Sequence, residues 1–337
     1  MKKLILTAIC ALLTFATAIG FTACNGEASS TAVNLVDVKA EEVGVRTDID
    51  YYVIAEPAAT VKVNALEGLE FSGNLQELYA DGNGYPQAVV VAKNEVVSYV
   101  AQTLSVKLKN GAEWLIDDAT APESIVSAVS SHLSNDLAPT FNAKNLNKEV
   151  IKNCSVKFTD AWNCKQAVKD IIEKFNACGE TNFSTPDDNF FLEEGDYGTA
   201  EYDGKITVYA PDGAPALGLA KLMATNELIN CKEVEYNVVK ADTIQAFVTG
   251  NAPKADVCVL PVNLAVKLLG SGEKYKMLGT LTNGNLFIVS NGKEKITKNN
   301  LSSLRGKTVG VVNLAQVPGL TFKTILKDNG IEYGQLI

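Results

Sequence analysis

The sequence has few of the residues that catalytic and metal sites use. Among its 337 residues there is one histidine, His132, and Arg46 and Arg305 are the only arginines. It also lacks the G-x-S-x-G and P-loop motifs, and its cysteines show no CxxC spacing. We therefore predict a protein that is not an enzyme and that carries neither a metal ion nor a cofactor.

A basic surface is missing as well. The chain has 30 basic and 39 acidic residues, which gives a net charge of −9. Without Lys2 and Lys3, 28 basic residues remain against 39 acidic ones, so the net charge becomes −11. This balance argues against nucleic acid as a partner and against a polybasic membrane-binding face. It does not argue against a small anionic ligand, because a helix N-terminus can bind an anion whatever the net charge.

The cysteines leave two alternatives open. Of the seven, Cys10 lies in the apolar N-terminal run and Cys24 directly follows it. The remaining cysteines are an odd set: Cys154, Cys164, Cys178, Cys231 and Cys258. In an exported protein one disulfide could form among the first three of these, or all five could be free and buried thiols.

The N-terminus predicts export. Met1-Lys2-Lys3 is followed by residues 4–23, which carry no charge, as in a secretory signal peptide. The ending Phe21-Thr22-Ala23-Cys24 resembles a bacterial lipobox, in which the chain is cleaved before a cysteine that is acylated through its thiol. We predict a signal peptide at 1–23, a tether at 24–34, and a lipid anchor on Cys24 at the extracytoplasmic face of the cell membrane. An uncleaved membrane helix and a freely secreted protein are the alternatives.

Strand and helix patterns alternate along the rest of the chain. The clearest unit is a strand at 205–210, a turn at Pro211-Asp212-Gly213 and a helix that opens at Pro215. Further strands are predicted at 50–55, 87–92, 234–239, 255–260 and 307–312, and helices at 242–249, 263–270, 318–330 and mainly through 123–175. This alternation predicts an α/β fold, and the length predicts two lobes. Ligands bind such sheets beyond the carboxyl ends of the strands.

Four stretches carry a resemblance to a known family. They are APDGAPALGLAKLM (210–223), TIQAFVTGNAPKADVCVLPVNLAVKLL (243–269), LRGKTVGV (304–311) and DIDYYVIAEPAATVKVN (48–64). They are similar to substrate-binding proteins of ABC importers for nitrate, taurine and alkanesulfonates, a group related to the thiamine-pyrimidine-precursor binding proteins. The resemblance implies a type II periplasmic-binding-protein-like fold: two doubly wound lobes, a hinge, and a small-molecule ligand that is delivered from the cleft to permease subunits.

The order of these stretches departs from that family, where the equivalent of residue 205 begins the first lobe soon after the anchor. Residues 35–105 resemble the first part of the second lobe, and 106–192 a mainly helical return to the first lobe. An acidic linker follows at 193–204, then the first lobe at 205–297 and the remaining second lobe at 298–337. We expect a circular permutation. A fusion of two truncated genes, or a misassembled gene, is the alternative.

The candidate ligand-binding residues end predicted strands or open predicted helices. They are Glu56, Asp212, Gly213, Ala214, Asn263, Asn283, Gln316, Gly319 and Thr321. Helix N-termini favour polar or anionic groups, and the resemblance implies an anion-holding helix start at 316–321. The carboxylate of Glu56 would suit an amine better than a sulfonate. Asp212 and Asn263 can also be ordinary helix caps, and Asn283 a turn residue.

Other candidates have ordinary structural interpretations. Tyr51, Tyr52 and Tyr85 could form aromatic walls, although strand aromatics are more often part of the core. Arg305 belongs to a strand-entry motif, so the sequence has no clear arginine clamp for a sulfonate or nitrate. A related enzyme group, which makes a pyrimidine precursor, depends on a cleft histidine, but the residues around His132 differ. The sequence predicts a binding protein for a small polar or anionic ligand; a ligand-sensing lipoprotein and such an enzyme are the alternatives.

Overall fold

The computed structural model describes residues 31–134 and 137–336. The predicted signal peptide, Cys24 and most of the predicted tether lie outside the described residues. The described chain forms two six-stranded sheets flanked by helices, which confirms the predicted two-lobed α/β class. We call them lobe A (residues 31–86 and 283–336) and lobe B (residues 87–134 and 137–282).

Lobe A is built from both ends of the described chain. Its strands are β1 (Val33–Val38), β2 (Tyr51–Ala55), β3 (Leu69–Asn74), β10 (Leu286–Asn291), β11 (Thr308–Val312) and β12 (Tyr333–Gln335). Their order in the sheet is β12-β1-β11-β2-β10-β3, and β10 runs antiparallel to both of its neighbours. The helices of this lobe are α1 (Ala58–Ala65), α2 (Leu75–Leu78) and α9 (Val317–Asp328).

Lobe B contains the middle of the chain. Its strands are β4 (Ala88–Lys93), β5 (Val156–Asp160), β6 (Tyr202–Pro211), β7 (Cys231–Val239), β8 (Val257–Pro261) and β9 (Tyr275–Thr282). They are ordered β5-β9-β4-β8-β6-β7, with β4 antiparallel to β8 and β9. The helices are α3 (Asn94–Ile116), α4 (Pro122–Ser130), α5 (Lys148–Asn153), α6 (Ala161–Ala177), α7 (Ala214–Ala224) and α8 (Val262–Leu269).

Burial explains why the central elements of lobe B form. Strand β4 has the apolar run Ala88–Ala92, which is buried on both faces as expected between two helical layers. Helix α3 buries Val100, Leu104 and Leu108, which are spaced by four residues and therefore share one face. It packs on α7, which is apolar around most of its circumference and is covered by α3 and α4.

The chain crosses between the lobes twice, from α2 to β4 and from β9 to β10. The crossing segments touch: Tyr85 N donates to Asn283 O at 3.3 Å. A Cβ atom on Gly84, whose φ is +79°, would lie 2.3 Å from the same carbonyl oxygen, so only glycine fits there. Side by side, the two segments form a narrow connection of the kind that serves as a hinge.

Strand pairing divides the chain differently from the sequence-based boundaries. The ranges 35–105 and 205–297 placed β4 in the second lobe and β10 in the first, whereas β4 pairs within lobe B and β10 within lobe A. Each is the antiparallel strand that follows a crossing, and its apolar pattern does not reveal which sheet it joins.

Two predicted helical regions also differ from the structure. The predicted helix at 242–249 is a single 3-10 turn, Ile244–Phe247, where Phe247 stacks on Tyr209 with ring centroids 4.3 Å apart. This contact fixes a tight turn against the sheet in place of a longer helix. The mainly helical stretch 123–175 contains strand β5, which pairs with the edge of β9. The other predicted strands and helices are present, with small shifts at their ends.

The cysteines in the described ranges are free thiols. Four of them, Cys154, Cys164, Cys231 and Cys258, are buried, while Cys178 is partly exposed. Burial raises the pKa of Cys164 to about 11. Of the two alternatives, the structure therefore has the free thiols. Across residues 31–134 and 137–336, no helix has both the length and the hydropathy to span a bilayer.

Candidate functional site

A cavity of about 480 Å³ lies between the lobes. Parallel strands from both lobes end at its wall: β2 and β11 of lobe A through Ala55 and Val312, and β6 and β8 of lobe B through Pro211 and Pro261. This is the position at which open α/β sheets bind ligands. We call this cavity the cleft.

Four helices begin at the cleft, two from each lobe. They are α1, α7, α8 and α9, whose N-cap residues Pro57, Gly213, Pro261 and Gln316 all line it. None of these N-cap side chains caps its own helix by a hydrogen bond. The first N–H groups of a helix carry a partial positive charge, so this arrangement favours hydrogen-bond acceptors on a ligand.

The turn before α7 places Asp212, Gly213 and Ala214 on the cleft wall. The Asp212 carboxylate accepts hydrogen bonds from Gly213 N at 2.8 Å and from Thr140 N at 2.7 Å. Gly213 is the N-cap, with φ +98°. Asp212 therefore ties the turn to the segment at Thr140 instead of capping α7.

Glu56 also lines the cleft, but its carboxylate is hydrogen-bonded to Thr60 in α1. The residue is 1% exposed and precedes Pro57 through a cis peptide bond. Its carboxylate accepts from Thr60 N at 3.0 Å and from Thr60 Oγ1 at 2.7 Å. Burial raises the pKa of Glu56 above its ordinary value, although the bonds from Thr60 oppose this.

Gln316 and Asn263 connect the lobes at the cleft. The Asn263 amide donates to Gln316 Oε1 at 3.0 Å. Asn263 is 3% exposed, and its Oδ1 has no partner among the described residues. Asn263, which is in α8, holds the Gln316 side chain through this hydrogen bond and does not itself form part of the cleft wall.

Three other candidates do not line the cleft. Gly319 packs in α9 so closely that an added Cβ would be 1.8 Å from Leu314 O. Thr321 is fully buried in the same helix, and its hydroxyl has no partner within the described chain. Asn283 lines a separate groove, where its Nδ2 donates to Lys157 O at 2.9 Å.

The crossing segments contribute two further cleft residues, Gln87 and Asn285. Gln87 Nε2 donates to Asn285 Oδ1 at 2.5 Å, and Asn285 N donates back to Gln87 Oε1 at 2.9 Å. Asn285 Nδ2 also donates to Glu56 O at 2.6 Å. These amides are committed to one another, so they hold the crossing strands together at the base of the cleft.

Four more polar residues lie on the cleft wall: Asp242, Gln245, Thr282 and Asn313. In the described part of the chain, none of their side chains takes part in a hydrogen bond or an ion pair. Asp242, Thr282 and Asn313 come at or just after the ends of β7, β9 and β11. Asp242 and Asn313 follow the predicted strands 234–239 and 307–312, so the strand-end rule could have found these two.

The aromatic and basic candidates are elsewhere. Tyr51, Tyr52 and Tyr85 donate their hydroxyls to Glu294 O, Arg46 O and Gln76 Oε1 inside lobe A. Arg305 donates to Gly330 O, and His132 lies at the end of α4. No aromatic or basic side chain is among the described residues that line the cleft.

No protein-family model matches the chain, and a search of curated proteins finds no match. Two solved structures are similar at 12% identity. One is the periplasmic oligopeptide-binding protein of an ABC transporter from Thermotoga maritima with bound mannohexaose (TM-score 0.30; 82% of this chain and 57% of that one). The other is an oligopeptide-binding protein from Bacillus subtilis with a nonapeptide (TM-score 0.25; 77% and 56%). The chain thus spans a little over half of either protein.

Proposed function

We propose that this chain is an extracytoplasmic solute-binding lipoprotein that captures a small polar or anionic ligand and delivers it to an ABC importer. The observation that carries the proposal is the cleft itself, because both lobes line it and four helix N-termini converge on it. A volume of about 480 Å³ suits a metabolite-sized ligand.

The mechanism is closure of the lobes about the two crossing segments. A ligand that contacts both walls binds the closed form more tightly than the open form, so it shifts the equilibrium towards closure. Permease subunits would then recognise the closed pair of lobes. Small-angle scattering with and without ligand measures the change, and unchanged dimensions at saturation would count against this mechanism.

The strand order supports membership of the nitrate, taurine and alkanesulfonate group with a permuted chain. In lobe B, β4 precedes its neighbours in sequence yet lies between β8 and β9. In lobe A, β1 pairs in parallel with β12, with Val33 opposite Tyr333. If β12 were connected to β1, the chain would run through β11, α9, β12, β1 and β2 of one sheet. The family stretches 304–311 and 48–64 would then follow one another in a single lobe.

Cys24 is the proposed anchor. Metabolic labelling with a palmitate analogue should mark the wild-type chain and not a Cys24→Ala variant. A wild-type chain that remains soluble and unlabelled would contradict the anchor while leaving ligand binding untouched.

A thermal-shift screen is the direct test of binding. A ligand that binds only the folded protein raises the melting temperature by mass action. The screen should include sulfonates, nitrate, pyrimidines, amino acids and polyamines. We expect one chemical class to stabilise the protein; no stabilisation by any member of the panel would contradict the proposal.

A further inference from the structure

The cleft has an unbalanced charge. Three acidic residues, Glu56, Asp212 and Asp242, line it, and no lysine, arginine or histidine among the described residues does so. None of the three forms an ion pair within the described chain. A full anion entering this space would meet carboxylates without a cation to offset them, and repulsion is strongest where water is excluded.

The three carboxylates differ in their availability. Glu56 accepts two hydrogen bonds from Thr60. Asp212 accepts one hydrogen bond on each of its oxygens from backbone N–H groups. Asp242 is exposed just beyond the end of β7 and has no partner in the described residues. It is therefore the carboxylate that is free to bind a ligand.

Two amides accompany Asp242. Gln245 lies on the 3-10 turn that follows it in lobe B, and Asn313 lies across the cleft at the end of β11 in lobe A. Neither side chain has a partner within the described residues, so each offers both a donor and an acceptor. The other cleft amides, Gln87, Asn285 and Gln316, already bond to partners.

We infer that the ligand carries a protonated amine, which Asp242 binds, together with a hydrogen-bond-accepting group that faces the helix N-termini. Asp242 is then a specificity-determining residue of lobe B, and Asn313 completes the contact from lobe A on closure. This inference rests on the proposed function and narrows its ligand class to amines and zwitterions, at the expense of nitrate and of sulfonates that carry no amine.

Solutes of one carbon skeleton separate charge from shape. The four-carbon set is butane-1,4-diamine, 4-aminobutanoate, butanedioate and butane-1,4-diol, and amino acids and alkanesulfonates of similar size extend the panel. We expect an amine-bearing member to stabilise the protein most in thermal shift. In calorimetry, Asp242→Asn should lower its affinity about tenfold, the change for one charge-assisted hydrogen bond. Asp118→Asn, which removes an equal charge from an exposed position outside the cleft, should leave the affinity unchanged.

Each outcome bears on the inference. Stabilisation only by anions or by the diol overturns it, while the proposed binding function stands. A panel in which no amine binds also overturns the inference. The same holds if Asp242→Asn leaves the affinity for the amine unchanged while circular dichroism shows a native fold. If no solute binds and the scattering profile never changes, the proposed function fails as well.

Discussion

The Asn263 amide in lobe B lies 3.0 Å from Oε1 of Gln316 in lobe A, and it is the donor of the hydrogen bond between them. Gln316 is also the N-cap of α9 and part of the cleft wall. This one residue thus stands at the start of a helix and on the cleft wall, and its side chain bonds to the opposite lobe. Separation of the two lobes would break this bond.

Replacing Gln316 with alanine should weaken ligand binding. Removal of the hydrogen bond leaves the buried Asn263 amide without a partner, which disfavours closure by about 1 kcal/mol and lowers affinity roughly fivefold. Titration calorimetry with a ligand from the screen measures this. Gln166→Ala removes an exposed amide of α6 and serves as the control. Equal affinities for the two variants would show that the interlobe bond does not contribute to closure.

Substitution of the two partners in the ion pair between Lys323 and Glu180 should affect stability differently. Lys323 in α9 is fully buried, while the side chain of Glu180, just beyond α6, is 35% exposed. Glu180→Gln leaves a buried ammonium without its counter-charge and should destabilise the protein by up to about 3 kcal/mol. Lys323→Met removes the charge and keeps the volume, so it should be close to neutral. Urea unfolding distinguishes them, and a neutral Glu180→Gln would contradict the prediction.

Glu56 should make stability depend on pH. Burial raises its pKa in the folded protein above the ordinary value of 4.5, so the folded state binds this proton more tightly than the unfolded chain. Stability from this group is therefore lost as pH rises from about 4.5 through the raised pKa. Glu56→Gln should gain stability relative to wild type across that window. Urea unfolding between pH 4 and 8 tests this, with the exposed Glu67→Gln as control; a difference that does not vary with pH would refute it.

Gly319 should be a packing residue. A Cβ there would meet Leu314 O at 1.8 Å, so Gly319→Ala must displace the start of α9 and should cost about 1–3 kcal/mol. Gly334 has open space around it, and Gly334→Ala should cost little. Thermal unfolding compares the two. Equal melting temperatures would mean that the backbone near Leu314 adapts freely.

Sequence patterns within a few residues predicted part of the site, whereas the rest depends on contacts between residues far apart in the chain. The turn through Asp212 and Gly213 was predictable because a strand, a Pro-Asp-Gly turn and an N-terminal proline stand together in the sequence. Gln87 and Asn285 were not, since their roles come from a pairing between residues 198 positions apart. Asp242 was placed at the start of a predicted helix, and the 3-10 turn that replaces this helix leaves its carboxylate exposed.

Helix α9 joins the cleft to the outer surface. It begins beside the ligand space at Val317 and ends at Asp328, a length of about 18 Å at 1.5 Å per residue. Its far end contacts lobe B through Lys174, whose Nζ is 2.6 Å from the Asp328 carboxylate. A displacement of its first turn at the cleft would therefore also change the contact between α6 and α9 if the helix moves as one body.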